Sequence, residues 1–319
     1  MIDPVRPIAI EDIEEARSRI AGTAIRTPLV KLDLEPNAPE IWLKLENLQP
    51  TNAYKIRGAA NAVARLSDEE RARGVWTISA GNAGQGVAYA ARKFGIPSTV
   101  VAIETAPQTK LDRMRALGAT IVPVSYQDAW KIAESHSYPG LEGTLVHPFD
   151  NYDFIAGHGT MALEILEDLP EVKAVIAAIG GGGLLTGVGS PMKALRPQVK
   201  VYGAEPETAA PYAYSLAQGS AQWFPDWKAS FVDGAGGKSV TERMWQRMRP
   251  VTDGAITVTL DQTRQAMRLI AEKTRTIAEG AGALALAAAL TGQAGEGPIV
   301  CVVSGGNIDF DKFAELVAN

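Results

Sequence analysis

The chain has 319 residues, 46% of them apolar and 21% charged, which suits a large buried core and excludes a disordered or fibrous protein. Its net charge of −5 argues against the dominant basic surface of a nucleic-acid binder, and Cys301, the single cysteine, excludes an internal disulfide, zinc ribbons and iron–sulfur clusters. No apolar run reaches the ~20 residues of a membrane span. The start, Met1-Ile2-Asp3-Pro4, has no basic region before an apolar stretch, so no signal peptide is expected and a cytoplasmic enzyme is.

At ~150 residues per domain, the length suggests two domains. In chain order, β-branched or apolar runs predict strands at Ile41–Leu45, Val75–Ser79, Ser98–Ile103, Thr120–Val124, Ala174–Ile179, Lys200–Ala204, Ala255–Val258 and Ile299–Val303. Helical periodicity falls between them, at Gly86–Phe94, Lys110–Leu117, Ala156–Asp168 and Thr263–Arg275, the last with Asp261 as its expected N-cap. The Ala-rich run Ala281–Leu290 reads as a buried helix. Strands alternating with helices imply parallel sheets, because parallel neighbours need a crossover connection. The fold class is α/β.

Three segments could carry chemistry. Gly180-Gly181-Gly182-Gly183 follows a strand and precedes a helix. Four residues without Cβ let the backbone turn sharply and aim several N–H groups at one anion, next to the positive end of a helix dipole. There is no Gly-Lys-Ser/Thr ending and no G-x-G-x-x-G spacing, so neither a P-loop nor a dinucleotide fingerprint is present. Glu205, at the end of the next strand, nevertheless lies where a dinucleotide fold places its ribose-binding acid, and a nicotinamide enzyme stays as a second reading. Ser79-Ala80-Gly81-Asn82-Ala83-Gly84-Gln85-Gly86 is another strand-to-helix loop, suited either to an ordinary N-cap or to a carboxylate. Lys44–Gly58 contains Lys55, which inside a crevice could lose its proton and act as a nucleophile.

These segments, together with Val303-Ser304-Gly305-Gly306-Asn307-Ile308-Asp309, occur in an order that resembles the serine/threonine dehydratase family of pyridoxal-phosphate (PLP) enzymes, from Asp12 through Phe310. That resemblance implies fold type II, the tryptophan synthase β-like architecture of two open parallel-sheet domains. Residues 1–68 and 148–319 would form the large PLP-binding domain and residues 69–147 an inserted small one. It implies that Lys55 carries the cofactor covalently and serves as the general base. Gly180, Gly181, Gly182 and Gly183 would hold the phosphate, Asn82 the ring 3-hydroxyl, and Ser304 would face the ring nitrogen. Ser79, Gly81, Asn82, Ala83 and the Gln85 region would clamp the substrate carboxylate.

The implied reaction is β-elimination from a β-hydroxy-α-amino acid such as serine, threonine or phenylserine, giving a 2-oxo acid and ammonia. Racemisation on the same cofactor is the alternative. A homodimer is expected, with no nucleic-acid or membrane partner. The chain departs from the family pattern at several places. Ala53-Tyr54-Lys55 replaces Ser-Phe-Lys, and Asn52 replaces the preceding glycine. Ala83 stands where many members carry His, leaving room for a bulkier β-substituent. Ala80 stands where serine racemases carry a second hydroxyl, which disfavours racemisation. Pro211 stands where relatives with a divalent cation place a carboxylate after Glu205, so no metal site is expected. His136 and His158 lack recognisable ligand spacing, His147 lies near the crevice, and Cys301 reads as buried. The Trp223–Trp227 stretch could be an interface, a lid or packing at the site's edge.

Overall fold

The structure is a computed structural model that describes residues 4–35, 38–106 and 108–318. The amino-terminal residues Met1–Asp3, used above to argue against a leader, lie outside the described residues. Among the described residues ten strands form: β1 Leu29–Lys31, β2 Ile41–Lys44, β3 Val75–Ile78, β4 Ser98–Ile103, β5 Thr120–Val124, β6 Thr144–Leu145, β7 Ala174–Ala178, β8 Lys200–Pro206, β9 Gly254–Val258 and β10 Ile299–Val302. They build one sheet ordered β1-β2-β10-β7-β8-β9 and another ordered β5-β4-β3-β6. All pairings are parallel except β1 with β2, which is antiparallel. The second sheet is drawn wholly from residues between β2 and β7, so one α/β unit is threaded through the middle of the other.

Why the larger sheet is buried follows from its central strands. Every residue of β7 and β10 is buried, as a parallel strand covered on both faces requires. Alternation divides them between two cores. Ala174, Ile176, Ala178 and Cys301 pack with the helix Gly280–Leu290, whereas Val175, Ala177, Val300 and Val302 pack with the helices Tyr152–Asp168 and Gly183–Leu195. Cys301 is fully buried, as expected. No helix among the described residues is long and apolar enough to cross a membrane.

Several boundaries differ from the sequence reading, for a common reason. The helix expected from Ala156 starts at Tyr152, capped by Asn151, whose side chain accepts from Phe154 N. The helix expected from Thr263 runs Leu260–Thr274, and its cap is Thr259 rather than Asp261: Thr259 accepts from Gln262 N while Gln262 reaches back to Thr259 N. In both, a capping residue that lies outside the apolar face sets the start, so a reading from that face alone places the start late. The short strands β1 and β6 escaped notice because three and two residues carry no period.

Candidate active site

The carboxyl ends of β3, β7 and β10 and the start of the helix Lys55–Ala64 converge on a cavity of about 410 Å³. Its walls include Lys55, Ser79, Gly81, Asn82, Ala83, Gly180, Gly181 and Ser304, residues spread over nearly 250 positions of sequence. This is the crevice position in which open α/β sheets bind ligands.

Local backbone bonds set Lys55 beside Ser304. Ala53 bridges to Gly305, Tyr54 N donates to Ser304 O at 3.0 Å and Gly306 N donates to Asn52 O at 2.9 Å. Asn52 holds φ at +53°, the left-handed region that asparagine tolerates best after glycine, which explains how it can replace the family's glycine. Lys55 Nζ donates to Pro148 O at 2.6 Å and has aromatic neighbours in Tyr54 and Phe154, with no ion-pair partner among the described residues. Burial therefore pushes its pKa down to about 7, leaving much of the amine neutral and nucleophilic near neutrality.

The four-glycine turn opens the helix Gly183–Leu195, with Gly182 at φ +88° as its N-cap. None of the four positions has room for a side chain. An added Cβ would lie 2.8 Å from Gly234 O at Gly180, 2.2 Å from Phe149 Cγ at Gly181, 2.5 Å from Met248 Sδ at Gly182 and 2.9 Å from Phe149 O at Gly183. The first N–H groups of such a helix have no intrahelical acceptor and suit a phosphate. Gly180 and Gly181 reach the cavity wall; Gly182 and Gly183 complete the turn behind them.

Ser79, Gly81, Asn82 and Ala83 form the start of the helix Asn82–Phe94, with Ser79 Oγ accepting from Gly81 N at 3.1 Å. The Asn82 amide is fixed at both ends: its Nδ2 donates to Glu279 Oε1 at 2.6 Å and its Oδ1 accepts from Asn307 Nδ2 at 2.8 Å. Gln85 is separate from this group. It is buried within the helix, off the cavity wall, and its Nε2 has no partner. Ser304 Oγ is buried at the wall and donates to Ala281 O at 3.4 Å.

Three wall residues were not singled out in the sequence. Glu279 precedes the apolar helix Gly280–Leu290, and a buried ionisable group at the mouth of such a run was the available signal. Burial, reinforced by the Asp233 charge, raises its pKa to about 7, against the pull of the Asn82 amide. Lys110 and Asp233 form an ion pair at 2.6 Å that spans the two α/β units at the cavity wall.

Other expectations resolve as follows. Glu205 is fully buried and accepts from Tyr212 N at 2.9 Å and Ala213 N at 2.8 Å. It caps the helix Pro211–Gln218 and is absent from the cavity wall, so its expected role as a ribose-binding acid is not supported. Among the described residues, no three His, Cys, Asp or Glu side chains gather as a metal site. His158, on the helix Tyr152–Asp168, is fully buried between the Tyr54 and Phe154 rings, and His136 stacks on His147 at 4.3 Å. Trp223 is exposed and packs against Trp130, while Trp227 Nε1 donates to Gly236 O at 3.0 Å.

Comparison with known proteins agrees with this geometry. The family described as "Pyridoxal-phosphate dependent enzyme" matches residues 20–305. The L-threonine ammonia-lyase of Thermotoga maritima is 38% identical over 319 residues, covering 97% of this chain and 78% of that protein. The catabolic L-threonine dehydratase TdcB of Staphylococcus aureus is 35% identical over 321 residues, covering 97% and 92%. Among solved structures, serine racemase from Dictyostelium discoideum superposes with a TM-score of 0.85 at 35% identity, covering 95% of this chain and 99% of that one. The T.th. threonine deaminase superposes with a TM-score of 0.82 at 35% identity, covering 95% of this chain and 99% of its own. The chain belongs to the pyridoxal-phosphate dependent enzymes, and within them to the fold type II group of serine/threonine dehydratases and serine racemases.

The residues present fit PLP. A glycine turn that excludes every Cβ suits a phosphate, a half-buried amine with a depressed pKa suits an aldehyde, and Asn82 and Ser304 would offer polar atoms to the ring.

Proposed function

We propose that this protein is a cytoplasmic, homodimeric ammonia-lyase that removes water from a β-hydroxy-α-amino acid and yields a 2-oxo acid and ammonia. The observation that carries the reading is the Lys55 amine, half-buried and without a counter-ion among the described residues, in the same cavity as the glycine turn and the Ser79–Ala83 loop. When bound, PLP supplies the electron sink that makes the substrate Cα–H acidic.

Lys55 holds the cofactor at rest. Released by substrate, its Nζ takes the Cα proton as general base, a task suited to a pKa near neutrality. The N–H groups at the start of the helix Asn82–Phe94, with Ser79, hold the substrate carboxylate and fix rotation about the Cα–N bond. Ser304 would offer the ring nitrogen a neutral hydroxyl, not a carboxylate, which would not hold that nitrogen protonated and would make the bound cofactor a weaker electron sink. Prompt loss of the β-hydroxyl is favoured over transamination. Loss of water across Cα–Cβ, then hydrolysis of the released enamine, completes the balance.

Ala80, Ala83 and Ala106 leave small side chains on the wall, which supports a substrate as bulky as phenylserine. Ala80 also lacks the hydroxyl needed to reprotonate Cα from the opposite face, which favours elimination over racemisation. Residues 69–147 are assigned to the small domain. The exposed apolar side chains Ile25, Leu48 and Ile277 support the dimer, in segments tied together where Gln49 bonds the Ile25 backbone and Asn47 the Ile277 backbone. The reading is tested with L-serine, L-threonine, hydroxyaspartate and phenylserine, following 2-oxo acid and the D-amino acid together. Release of 2-oxo acid from at least one supports it. Accumulation of D-serine without 2-oxo acid, or no turnover at all, would refute it.

A further inference from the structure

On the far side of Phe149 lies a second and larger cleft, of about 820 Å³. Arg6, Arg243 and Arg247 line it together with Tyr152, and Asp150 and Glu70 are its only carboxylates among the described residues. Behind the wall, Tyr152 Oη donates to Asp12 at 2.7 Å, the Arg6 charge acts on Asp153, and Arg247 Nη1 donates to Arg6 O at 3.2 Å. Asp150 already serves Arg243 Nε at 2.5 Å, Arg247 Nε at 3.2 Å and His136 Nε2 at 3.5 Å. Glu70 is turned to its own helix, its Oε2 accepting from Ser67 N at 2.9 Å.

Arg247 is the informative member. It is only 5% exposed, and burial, together with the neighbouring Arg243 charge, lowers its pKa against the pull of Asp150. A buried cation crowded by another cation is stabilised by any anion that can reach it. Arg6 is exposed and stacks its guanidinium 3.8 Å above the Tyr152 ring, at the open side of the cleft. The fork geometry of guanidinium suits planar or tetrahedral oxyanions.

We propose that this cleft is a second anion site, binding a small organic dianion (a phosphomonoester or a dicarboxylate) between Arg6, Arg243 and Arg247, and that its occupancy tightens the hold on PLP. The coupling has a short physical path. Phe149, next to Asp150, packs on Gly181, and Met248, next to Arg247, packs on Gly182, so the cations and the glycine turn share two rigid neighbours. The cleft would bind its dianion whichever amino acid the enzyme consumes.

The test uses holoenzyme saturated with PLP, so that the glycine turn is filled. Titration calorimetry with glycerol 2-phosphate and with succinate, each at ionic strength matched with sodium chloride, is expected to show saturable binding of one dianion per chain. Arg243→Gln and Arg6→Gln should each weaken it by about tenfold, the size of one charge-assisted hydrogen bond, while Lys200→Gln at a distant surface pair leaves it unchanged. Binding of the phosphomonoester alone, of succinate alone, or of both, identifies the headgroup and supports the site. Should Arg243→Gln fail to fold, Arg6→Gln carries the test from an exposed position. No saturable heat, or equal affinity in the arginine variants, would overturn the site. An unchanged rate of PLP release at saturating dianion would overturn the coupling.

Discussion

Replacing Arg57 with methionine removes the hub of a charge network buried against the helix that begins at Lys55. Arg57 is 1% exposed, and its guanidinium donates to Glu46 through Nε at 2.8 Å and Nη2 at 2.9 Å. It also donates to Glu164 through Nη1 at 2.7 Å and Nη2 at 2.9 Å. Glu164 keeps a partner in Lys44 Nζ at 2.6 Å, but Glu46 is left with the neutral donors Thr27 and Gln49 while remaining fully buried. Removing one partner of a buried pair costs ~3–5 kcal/mol, because an uncompensated charge stays behind. At about 2–4 °C per kcal/mol, the midpoint of thermal unfolding should fall by roughly 6–20 °C. The double variant Arg57→Met/Glu46→Leu should recover much of that loss, since an apolar pair carries no stranded charge. Arg57→Lys should lie between, keeping the charge but losing the fork. Thermal unfolding followed by circular dichroism, with PLP saturating, measures all three. A loss below ~1 kcal/mol for Arg57→Met, or a double variant worse than the single, would refute the reasoning.

Two further outcomes follow from the site. The lowered pKa of Lys55 predicts that PLP uptake by the cofactor-free enzyme accelerates with pH and levels off above about 7, since only the neutral amine attacks the aldehyde. Stopped-flow absorbance would detect this, and a rate still climbing toward pH 10 would mean an ordinary, solvated lysine. Gly181→Ala places a Cβ 2.2 Å from Phe149 Cγ, an overpacking that costs ~1–3 kcal/mol and should weaken PLP affinity by about tenfold or more. Equilibrium dialysis would check it, and unaltered affinity would show that the turn does not hold the phosphate.

The parts legible in the sequence were those written locally. The glycine turn and the Ser79–Ala83 loop each sit at a strand-to-helix junction, where a short run of residues declares its conformation and an anion-binding chemistry, whereas Lys55 was marked out by the family resemblance. Glu279, Lys110 and Asp233 were not legible, because their meaning comes from the approach of segments far apart in the chain. Asn82 and Glu279 are 197 positions apart, and only the packing of one α/β unit on the other brings them to 2.6 Å. Gln85 failed for the opposite reason. Its place in a polar loop motif suggested the cavity, but helical geometry rotates it into the interior. Glu205 was misread because a strand-end acid has two uses, and here the start of the next helix takes both oxygens.

The central claim, that the amine at position 55 carries the vitamin-derived aldehyde, is tested most directly by borohydride reduction of the holoenzyme followed by peptide mass mapping. The predicted result is a single pyridoxyl group fixed to the peptide containing Lys55. A modified lysine elsewhere, or no modification in enzyme that is active and PLP-saturated, would contradict it.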